Sequence, residues 1–477
     1  MFIGRKVELN ELGLLWNKST ASLVTCRGRR RIGKSSLIDE FARRTADTFI
    51  AVEGLAPRKG LSDQRQRRHF CEKLSALAGR RIRAANWLEA FQRLDELIPA
   101  TGRTVVLLDE ISWLGAYNPD FAGYLKEAWD RAFSRHDRLV VVLCGSVSSW
   151  IAENILNGAG FVGRTSLDLE LSEPPLRECV RLMGPMAVKL SPLEKIDCLS
   201  VTGGVPKYLQ EIHPEYPVEE NVCRMCFTPN GLLFREFDEM FSSVFGRKAE
   251  SRRKALCQLA ARPLSVAEFA AEASRTASGL LSRTLKELCL AGFAGKETGL
   301  NPMTGEPLRQ ERYRIRDNYM RFYLKYIQPN RTGIEQGLFR LASLEQLPDW
   351  EGLLGLQFEN LVLNHCTEFF PLLGLDRSLV LSAAPYRKVG PKGGGVQIDL
   401  LIQTKRMVLV VEIKRRRHIS AGIVEEVREK VRRLRVPSNK SVRTALVYVG
   451  ELAKTIEAEH YFDFVVDASK LFEEDVR

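Results

Sequence analysis

Residues 23–37, which read LVTCRGRRRIGKSSL, combine residue types and a spacing that suit phosphate binding. Glycines in the pattern GxxxxGK[ST] let successive backbone N–H groups point at a phosphate, and the following helix adds positive potential. Lys34 supplies a mobile cation, and Ser35 offers a hydroxyl to Mg²⁺. The residues predicted to bind the phosphates of ATP are Gly28, Arg29, Arg30, Arg31, Ile32, Gly33, Lys34, Ser35 and Ser36.

Two acidic residues, Asp109 and Glu110, follow the apolar run 105–108. Such a run predicts a buried parallel strand, and carboxylates at its end suit nucleotide chemistry better than packing. Asp109 is predicted to hold Mg²⁺ through its water shell, and Glu110 to polarise the water that attacks the γ-phosphate. An acidic cap at a strand end is the structural alternative.

Three further positions are candidates for nucleotide contact. Ser146 ends the apolar run 139–145 and is expected either to sense the γ-phosphate or to cap a helix. Arg164 is expected either to stabilise phosphoryl charge, in its own subunit or in a neighbour, or to be a surface arginine. Gly4 and Arg5 precede a helix-like segment, where nucleotide-binding ATPases cradle the adenine, although an N-terminal turn packed on the core has the same sequence.

The segments FIGRKVEL, GRRRIGKSS, LLDEISWL, LCGSVSSW, GRT at 163–165 and VTGGVPKYL together resemble the archaeal-type ATPase family within the AAA+/STAND lineage of P-loop NTPases. The resemblance implies a helical lid that faces the nucleotide. It also implies that Pro206 touches the nucleotide.

After residue 251, three short amphipathic helical patterns and a glycine-bearing hairpin at 293–313 give the outline of a winged helix. Its third helix is predicted to present polar residues outward, a surface that suits the DNA major groove. These residues are Arg275, Ser278, Ser282, Arg283 and Lys286. A winged helix that serves only as a spacer or a protein contact is equally compatible with the pattern.

A second chemistry is indicated near the C-terminus. Asp399 is expected to open one strand of a hairpin, and Glu412 and Lys414, two residues apart, to share a face of the next strand. Carboxylates of this kind bind Mg²⁺ or Mn²⁺, and a lysine beside them orients a nucleophile. The pattern resembles the PD-(D/E)XK nuclease superfamily, with Glu359 as an additional carboxylate. A charged strand end is the structural alternative.

A basic run follows this hairpin, with Arg415, Arg416 and Arg417 and then the arginines and Lys430 of a helical stretch. We expect it either to guide a nucleic-acid backbone towards the hairpin or to be a solvated helix face.

The composition of the chain indicates the kind of partner and the location to expect. The 477 residues carry 71 Lys and Arg against 59 Asp and Glu, a net charge of +12 that favours a polyanionic partner. No apolar run reaches the roughly 20 residues that span a bilayer, and the charged N-terminus does not read as a signal peptide, so a cytoplasmic location without membrane attachment is expected.

The sequence therefore predicts an α/β multidomain chain: a P-loop NTPase core (1–170), a helical lid (171–245), a winged helix-turn-helix (246–330) and a C-terminal α/β restriction-endonuclease-like domain (331–477). The predicted function is Mg²⁺-dependent ATP hydrolysis that controls a nuclease-like or DNA-binding domain. Alternatives are a STAND-type nucleotide-gated signalling or assembly switch whose C-terminal domain binds a partner without cleaving it, and a transcriptional regulator that uses the winged helix. The expected partners are DNA and further copies of this chain in a homo-oligomer.

Overall fold

The computed structural model describes residues 2–58, 60–146, 148–158, 160–213, 215–272, 279–308, 311–388 and 395–472. The chain divides into two compact units. The first comprises Met1–Glu173, Asp238–Arg252 and Lys286–Gly292, and the second comprises Pro174–Phe237, Arg253–Leu285 and Phe293–Arg477. The four-domain division expected from the sequence stays a prediction.

The first unit alternates strands and helices. Its elements are α1 (Lys6–Leu14), β1 (Ser22–Gly28), α2 (Lys34–Thr45), β2 (Thr48–Glu53), α3 (Asp63–Ala78), α4 (Trp87–Asp95), β3 (Thr104–Asp109), α5 (Ile111–Leu114), α6 (Phe121–Arg131), β4 (Leu139–Gly145), α7 (Ser148–Ile151) and β5 (Thr165–Leu171).

These five strands form one parallel sheet in the order β2-β3-β4-β1-β5. Consecutive residues of β3 belong to different apolar clusters, because Val106 packs with one and Val105 with the other. Both faces of the sheet are thus covered, which explains why β3 and β4 contain unbroken apolar runs. The predicted strands at 105–108 and 139–145 are confirmed. Because the strands are parallel, β1, β3 and β4 all end at the same edge.

The second unit contains most of the remaining elements, and α13, α14 and α16 contribute residues to both units. In chain order these elements are α8 (Leu176–Leu182), α9 (Met186–Lys189), α10 (Pro192–Thr202), α11 (Pro206–Leu209), α12 (Val218–Cys226), α13 (Leu232–Phe245), α14 (Ala249–Ala261), β6 (Leu264–Ser265), α15 (Val266–Glu272), α16 (Gly279–Leu290), β7 (Ala294–Glu297), β8 (Arg312–Ile315), α17 (Asn318–Phe322), α18 (Arg331–Glu335), α19 (Trp350–Asn364), α20 (Cys366–Phe369), β9 (Ser382–Lys388), β10 (Val396–Gln403), β11 (Met407–Ile419), α21 (Gly422–Arg433), β12 (Ser441–Leu452), α22 (Lys454–Ala458) and β13 (Phe464–Asp467).

A mixed five-stranded sheet, in the order β13-β12-β11-β10-β9, carries the predicted C-terminal hairpin. Strands β9, β10 and β11 pair antiparallel, whereas β11, β12 and β13 pair parallel. The predicted hairpin is confirmed with one correction: Asp399 is the fourth residue of β10 and does not open it. Asp399 lies at an irregular point of the sheet, because the pairing of β10 with β9 shifts register between Ile398 and Leu401, and its pairing with β11 runs from Leu400 to Gln403.

A small antiparallel sheet, β6-β8-β7, follows helices α14 to α16 in the segment predicted to be a winged helix. The order of helices and hairpin agrees with that outline, and the winged-helix identity itself stays a prediction. Ser282, Arg283 and Lys286 are exposed on α16, as expected. Arg275 and Ser278 lie outside the described residues. Among the residues that the structure describes, no helix combines the length and the apolar character needed to cross a membrane.

Candidate functional site

The loop between β1 and α2 has the backbone shape expected of a phosphate-binding loop. Gly28 has a φ of +149°, and a Cβ there would lie 2.4 Å from the carbonyl oxygen of Leu171. Gly33 has a φ of +93° and caps α2, a left-handed position that favours glycine. Both glycines of the motif are therefore required by geometry.

The reactive side chains of this loop converge on one point. Nζ of Lys34, which is buried, donates to the carbonyl oxygens of Gly28 and Arg29 at 3.1 Å each. Oγ of Ser35 donates to Oδ2 of Asp109 at 2.6 Å. A hydroxyl beside a carboxylate is a hard-oxygen donor set that fits Mg²⁺. The Lys34 ammonium lies against the carbonyl oxygens of the same loop. When bound, Mg²⁺ neutralises charge on the nucleotide phosphates.

Ser146 holds Glu110 in place. The two residues, which the sequence pattern assigned to one nucleotide site, thus lie in contact. Oγ of Ser146 lies 2.9 Å from each carboxylate oxygen of Glu110, and the Ser146 backbone N–H donates to Oε2 at 3.1 Å. Burial raises the pKa of Glu110, although Lys34 and Ser146 oppose the shift. Glu110 also has a φ of +47°, an uncommon conformation that is more frequent at functional sites.

Arg5 ties the N-terminus to this loop. Its guanidinium donates to the carbonyl oxygens of Ile32 at 3.2 Å and Ser172 at 2.6 Å, and it pairs with Glu8 at 3.0 Å. Gly4 before it has a φ of +79°. Arg5 thus positions the phosphate-binding loop, and adenine contact by Gly4 and Arg5 stays a prediction.

The arginines within the loop contact their surroundings in the same unit. Arg29 is buried, Arg30 donates to Oγ of Ser243 at 3.0 Å, and Arg31 lies 3.8 Å from Glu239. Ile32 is buried in the core, and Ser36 is exposed in the first turn of α2.

Arg164 forms a two-point hydrogen bond with Asp130 on α6. Its Nε and Nη2 donate to the two carboxylate oxygens at 2.7 and 3.0 Å. These donors therefore go to Asp130 and not to the phosphate-binding loop, and a role for Arg164 in phosphoryl transfer stays a prediction. Pro206 is the first residue of α11 in the second unit, and its contact with nucleotide also stays a prediction.

In the second unit, Asp399, Glu412 and Lys414 line one open cavity of about 530 Å³. Oδ2 of Asp399 accepts a hydrogen bond from the Ile413 backbone N–H at 3.0 Å, and Nζ of Lys414 lies 2.7 Å from Oε1 of Glu412. Alternation along β11 puts Glu412 and Lys414 on one face, as predicted. The structure thus brings together the three residues of the proposed nuclease-like site.

Lys430 on α21 joins this site in a way that the sequence pattern did not reveal. Its Nζ donates to Oε2 of Glu412 at 2.6 Å and lies 4.0 Å from Oδ1 of Asp399 and 3.5 Å from Glu426. Lys430 was predicted only as part of a basic run. The only local signal is its spacing from Glu426, four residues earlier on the same helix face.

The carboxylates of this site interact with one another. Burial and then the Glu359 carboxylate raise the pKa of Asp399 to about 6, against the effect of Lys430. Burial, followed by the charge of Asp399, likewise raises the pKa of Glu412. Burial raises the pKa of Glu359 itself, opposed by Arg321 and Arg314. Mutual repulsion among buried carboxylates favours a cation.

Two carboxylates fit a Mg²⁺ or Mn²⁺ ion, since Mg²⁺ usually retains several waters and takes one or two carboxylates from a protein. Oε1 of Glu412 is buried and has no hydrogen-bond partner among the described residues, although Lys414 forms an ion pair with it. In the described part of the chain, no group of three or more His, Cys, Asp or Glu residues has metal-binding geometry. Asp399 and Glu412 would therefore hold the ion as a pair, in competition with Lys430.

Arg415 was predicted among residues that guide nucleic acid, and this prediction is wrong. Its guanidinium is buried and donates to both carboxylate oxygens of Asp197, at 2.9 and 2.8 Å, and to Glu351. Arg415 points away from the face that carries Lys414, because neighbouring residues in a strand face opposite sides. It anchors β11 to α10. Arg416 and Arg417 are exposed, and Arg417 pairs with Glu345.

Several known proteins are similar to this chain or to part of it. An uncharacterized protein of Methanocaldococcus jannaschii is 22% identical over 417 residues, which cover 87% of this chain and 87% of that protein. An uncharacterized ATP-binding protein of the same organism is 49% identical over 41 residues, which cover 9% of this chain and 70% of that protein. The solved Walker-type ATPase of Pyrococcus abyssi is 17% identical and has a TM-score of 0.46, covering 68% of this chain and 96% of that chain.

Residues 2–212 also match a family model described as an ATPase domain predominantly from Archaea. The match includes the loop with Lys34 and Ser35 and the pair Asp109 and Glu110. Residues 2–212 of this chain are therefore similar to an ATPase domain that occurs predominantly in Archaea, and this similarity supports ATP binding by the first unit.

Proposed function

We propose that this ATPase domain controls a metal-dependent action on DNA that is carried out at Asp399, Glu412 and Lys414. The observation that carries the proposal is the convergence of these three side chains, from two strands, in one cavity. The net charge of +12 supports a polyanionic substrate. The ATPase domain supplies a nucleotide cycle to which this site is coupled.

In the ATPase domain each side chain has a separate task. Lys34 leaves its loop carbonyls for the β- and γ-phosphates, and Ser35 and Asp109 hold Mg²⁺. Glu110 orients and polarises the attacking water, and its position is fixed by Ser146. The raised pKa of Glu110, caused by burial, makes its carboxylate a better proton acceptor.

At the C-terminal site, Asp399 and Glu412 hold Mg²⁺ or Mn²⁺, which when bound lowers the pKa of a water and neutralises a scissile phosphate. Lys414 orients the nucleophilic water and stabilises charge on the phosphodiester. Burial acts to lower the pKa of Lys414, but Glu412, Glu426 and Asp399 together raise that pKa above its usual value, so the lysine is held as a cation. Glu359 adds negative charge close to Asp399.

The test uses the purified full chain with linear, circular and single-stranded DNA, with Mg²⁺ or Mn²⁺, and with or without ATP. Cleavage is expected with metal and is expected to be lost in Asp399→Asn and Lys414→Met. Lys34→Ala should remove only its dependence on ATP. Lys405→Met is the matched control, since Lys405 is an exposed lysine in the turn of the same hairpin. Cleavage that survives Asp399→Asn and Lys414→Met refutes the nuclease assignment.

A second candidate function is a nucleotide-gated switch whose C-terminal domain binds a partner without cleaving it. The observation that favours it is Lys430, whose ammonium already neutralises Glu412. Such a switch is expected to retain ADP through purification and to change oligomeric size when ATP is added, with Arg164 acting on a neighbouring subunit. Hydrolysis stimulated several-fold by DNA counts against it.

A further inference from the structure

A second cavity, which is basic and lies in the first unit, has no part in the sites described above. It has a volume of about 910 Å³ and lies between helix α3 and the segment that follows it. Five arginines and one glutamate account for the charged residues that line it: Arg65, Arg67, Arg68, Arg81, Arg83 and Glu72. The cavity therefore carries a strong excess of positive charge.

The walls of this cavity are fixed to each other. The backbone N–H of Ile82 donates to Oγ of Ser75 at 2.8 Å, and that hydroxyl donates to the carbonyl oxygen of Cys71 at 2.7 Å. Arg67 donates from Nε to the carbonyl oxygen of Ala84 at 3.3 Å. The segment after α3 is thus held against the helix by two hydrogen bonds, at Ile82 and at Ala84, which keep the arginines of the two walls facing one space.

Most of these arginines are available to a ligand. Arg67 is engaged with Asp63 at 2.6 Å. Arg65, Arg81 and Arg83 are exposed, and among the described residues their side chains make no hydrogen bond or ion pair. Arg68 approaches Glu72 only at 3.7 Å on an exposed helix face, where an ion pair contributes little.

The chemistry of the lining identifies the ligand class. Guanidinium groups match phosphate oxygens in geometry and charge, and Arg65 and Arg68 lie one helical turn apart, about 4.5 Å along the axis. Sites for single strands usually add aromatic rings on which bases stack, and no aromatic residue occurs among the described residues that line this cavity. The lining thus suits the backbone of a duplex, with no means of reading bases.

We infer that this arginine cavity binds the phosphate backbone of duplex DNA, independently of sequence. The inference rests on the proposed action on DNA and places the DNA contact on the ATPase domain itself.

A direct path links this cavity to the catalytic glutamate. Gln66, between two cavity arginines on α3, is buried and donates to the carbonyl oxygens of Leu55 at 2.7 Å and Trp113 at 2.9 Å. Trp113 lies in α5, which begins directly after Glu110. DNA bound against α3 is therefore expected to act on the short helix that directly follows Glu110, and stimulation of ATP hydrolysis by DNA is the expected consequence.

The experiment measures binding of the full chain to a labelled duplex over a range of salt concentrations. Arg81→Gln/Arg83→Gln is expected to weaken binding about tenfold or more at moderate salt and to reduce the slope of log K against log salt by about 2, because about two phosphate contacts are lost. Arg81→Lys/Arg83→Lys should bind within a few-fold of the wild type. DNA stimulation of hydrolysis should fall with binding, while hydrolysis without DNA is unchanged.

Arg43→Gln/Arg44→Gln is the matched control, since it removes two charges from the same unit at arginines that pair with Glu40 outside the cavity. If the cavity variant and this control bind equally, the cavity is not the DNA site, although the proposed action on DNA stands. If the wild type binds no duplex at any salt concentration, both fail. Tighter, cavity-dependent binding of single strands or RNA overturns the duplex assignment.

Discussion

The ammonium nitrogen of Lys430 lies 2.6 Å from Oε2 of Glu412 and 4.0 Å from Oδ1 of Asp399. A cation from the protein thus occupies the space between the two carboxylates that we assign to a metal. We predict that Lys430→Met binds Mn²⁺ at least tenfold more tightly than the wild type. The substitution removes a positive charge that repels the metal ion and competes with it for the two carboxylates. Titration calorimetry with Mn²⁺ measures the change.

Lys440→Met is the control for this prediction, since it removes a lysine outside the cavity lining. An affinity for Mn²⁺ that is unchanged or weaker in Lys430→Met contradicts competition by Lys430. If neither protein binds Mn²⁺ at millimolar concentration, the assignment of Asp399 and Glu412 as a metal pair is itself wrong.

Substitutions of Glu110 and Ser146 are expected to slow ATP hydrolysis without weakening ATP binding. Glu110→Gln should lower kcat about 100-fold or more, because general-base catalysis is lost, while the affinity for ATP is retained. Ser146→Ala should lower kcat about tenfold, since it removes only the hydroxyl that orients Glu110. Steady-state hydrolysis and fluorescent nucleotide binding distinguish the two effects. With Ser134→Ala as the control, a Ser146→Ala enzyme of normal kcat shows that the hydroxyl is dispensable.

Gly28 and Gly13 form a matched pair for the backbone of the phosphate-binding loop. Gly28→Ala should destabilise the protein by about 2 kcal/mol or more and abolish ATP binding, because the added Cβ meets the Leu171 carbonyl oxygen at 2.4 Å. Gly13 lies within helix α1, and a Cβ there meets nothing within 4 Å, so Gly13→Ala should stabilise by about 0.5 kcal/mol or more. Urea unfolding and nucleotide binding test both. Normal ATP affinity in Gly28→Ala is the contrary result.

The buried ion pair of Asp197 and Arg415 is expected to make the stability of the fold depend on pH. Burial raises the pKa of Asp197 to about 6, against the effect of Arg415 and with small contributions from Glu351 and Glu194. The folded protein thus binds this proton more tightly than the unfolded chain, whose aspartates titrate near pH 3.9, and the associated stabilisation is lost as pH rises from about 4 to about 6. Removal of Arg415 raises that pKa further.

Arg415→Met is therefore expected to cost about 3 kcal/mol or more at pH 8, where a buried carboxylate has lost its partner, and clearly less at pH 5, where Asp197 is protonated. Urea unfolding of the wild type and the variant at both pH values measures the difference. Asp197→Asn/Arg415→Met serves as the control, because its stability should not show this dependence. An equal cost of Arg415→Met at pH 5 and pH 8 contradicts the assignment.

Elements with strong local patterns were predictable. The runs before Asp109 and Ser146 form strands of a parallel sheet that is buried on both faces. Such strands carry apolar residues at consecutive positions, and this pattern is visible in the sequence. The phosphate-binding loop was equally clear, since the φ angles of Gly28 and Gly33 admit few other residues. The basic pattern of residues 65–85 suggests one continuous helix, but α3 ends at Ala78, where Gly79 adopts a φ of +63°. That glycine is the stop signal that the basic pattern concealed.

Long-range ion pairs left no local pattern. Arg415 and Asp197 are 218 positions apart, and a basic run gives no sign that one of its arginines is buried. Lys430 faces Glu412 because α21 packs over the sheet, a tertiary relation that helix periodicity alone does not specify. Residue types therefore predicted which chemistry is present, whereas pairing partners depended on how the elements pack.

Lys414 and Arg415 are consecutive residues of β11 that serve opposite faces of the sheet. One contacts Glu412 in the cavity, and the other holds Asp197 on α10. Their Cα atoms are fixed about 3.8 Å apart by the trans peptide bond. Anything that shifts the backbone of β11 at Arg415 therefore also shifts Lys414, so that one peptide unit connects the contact with α10 to the cavity.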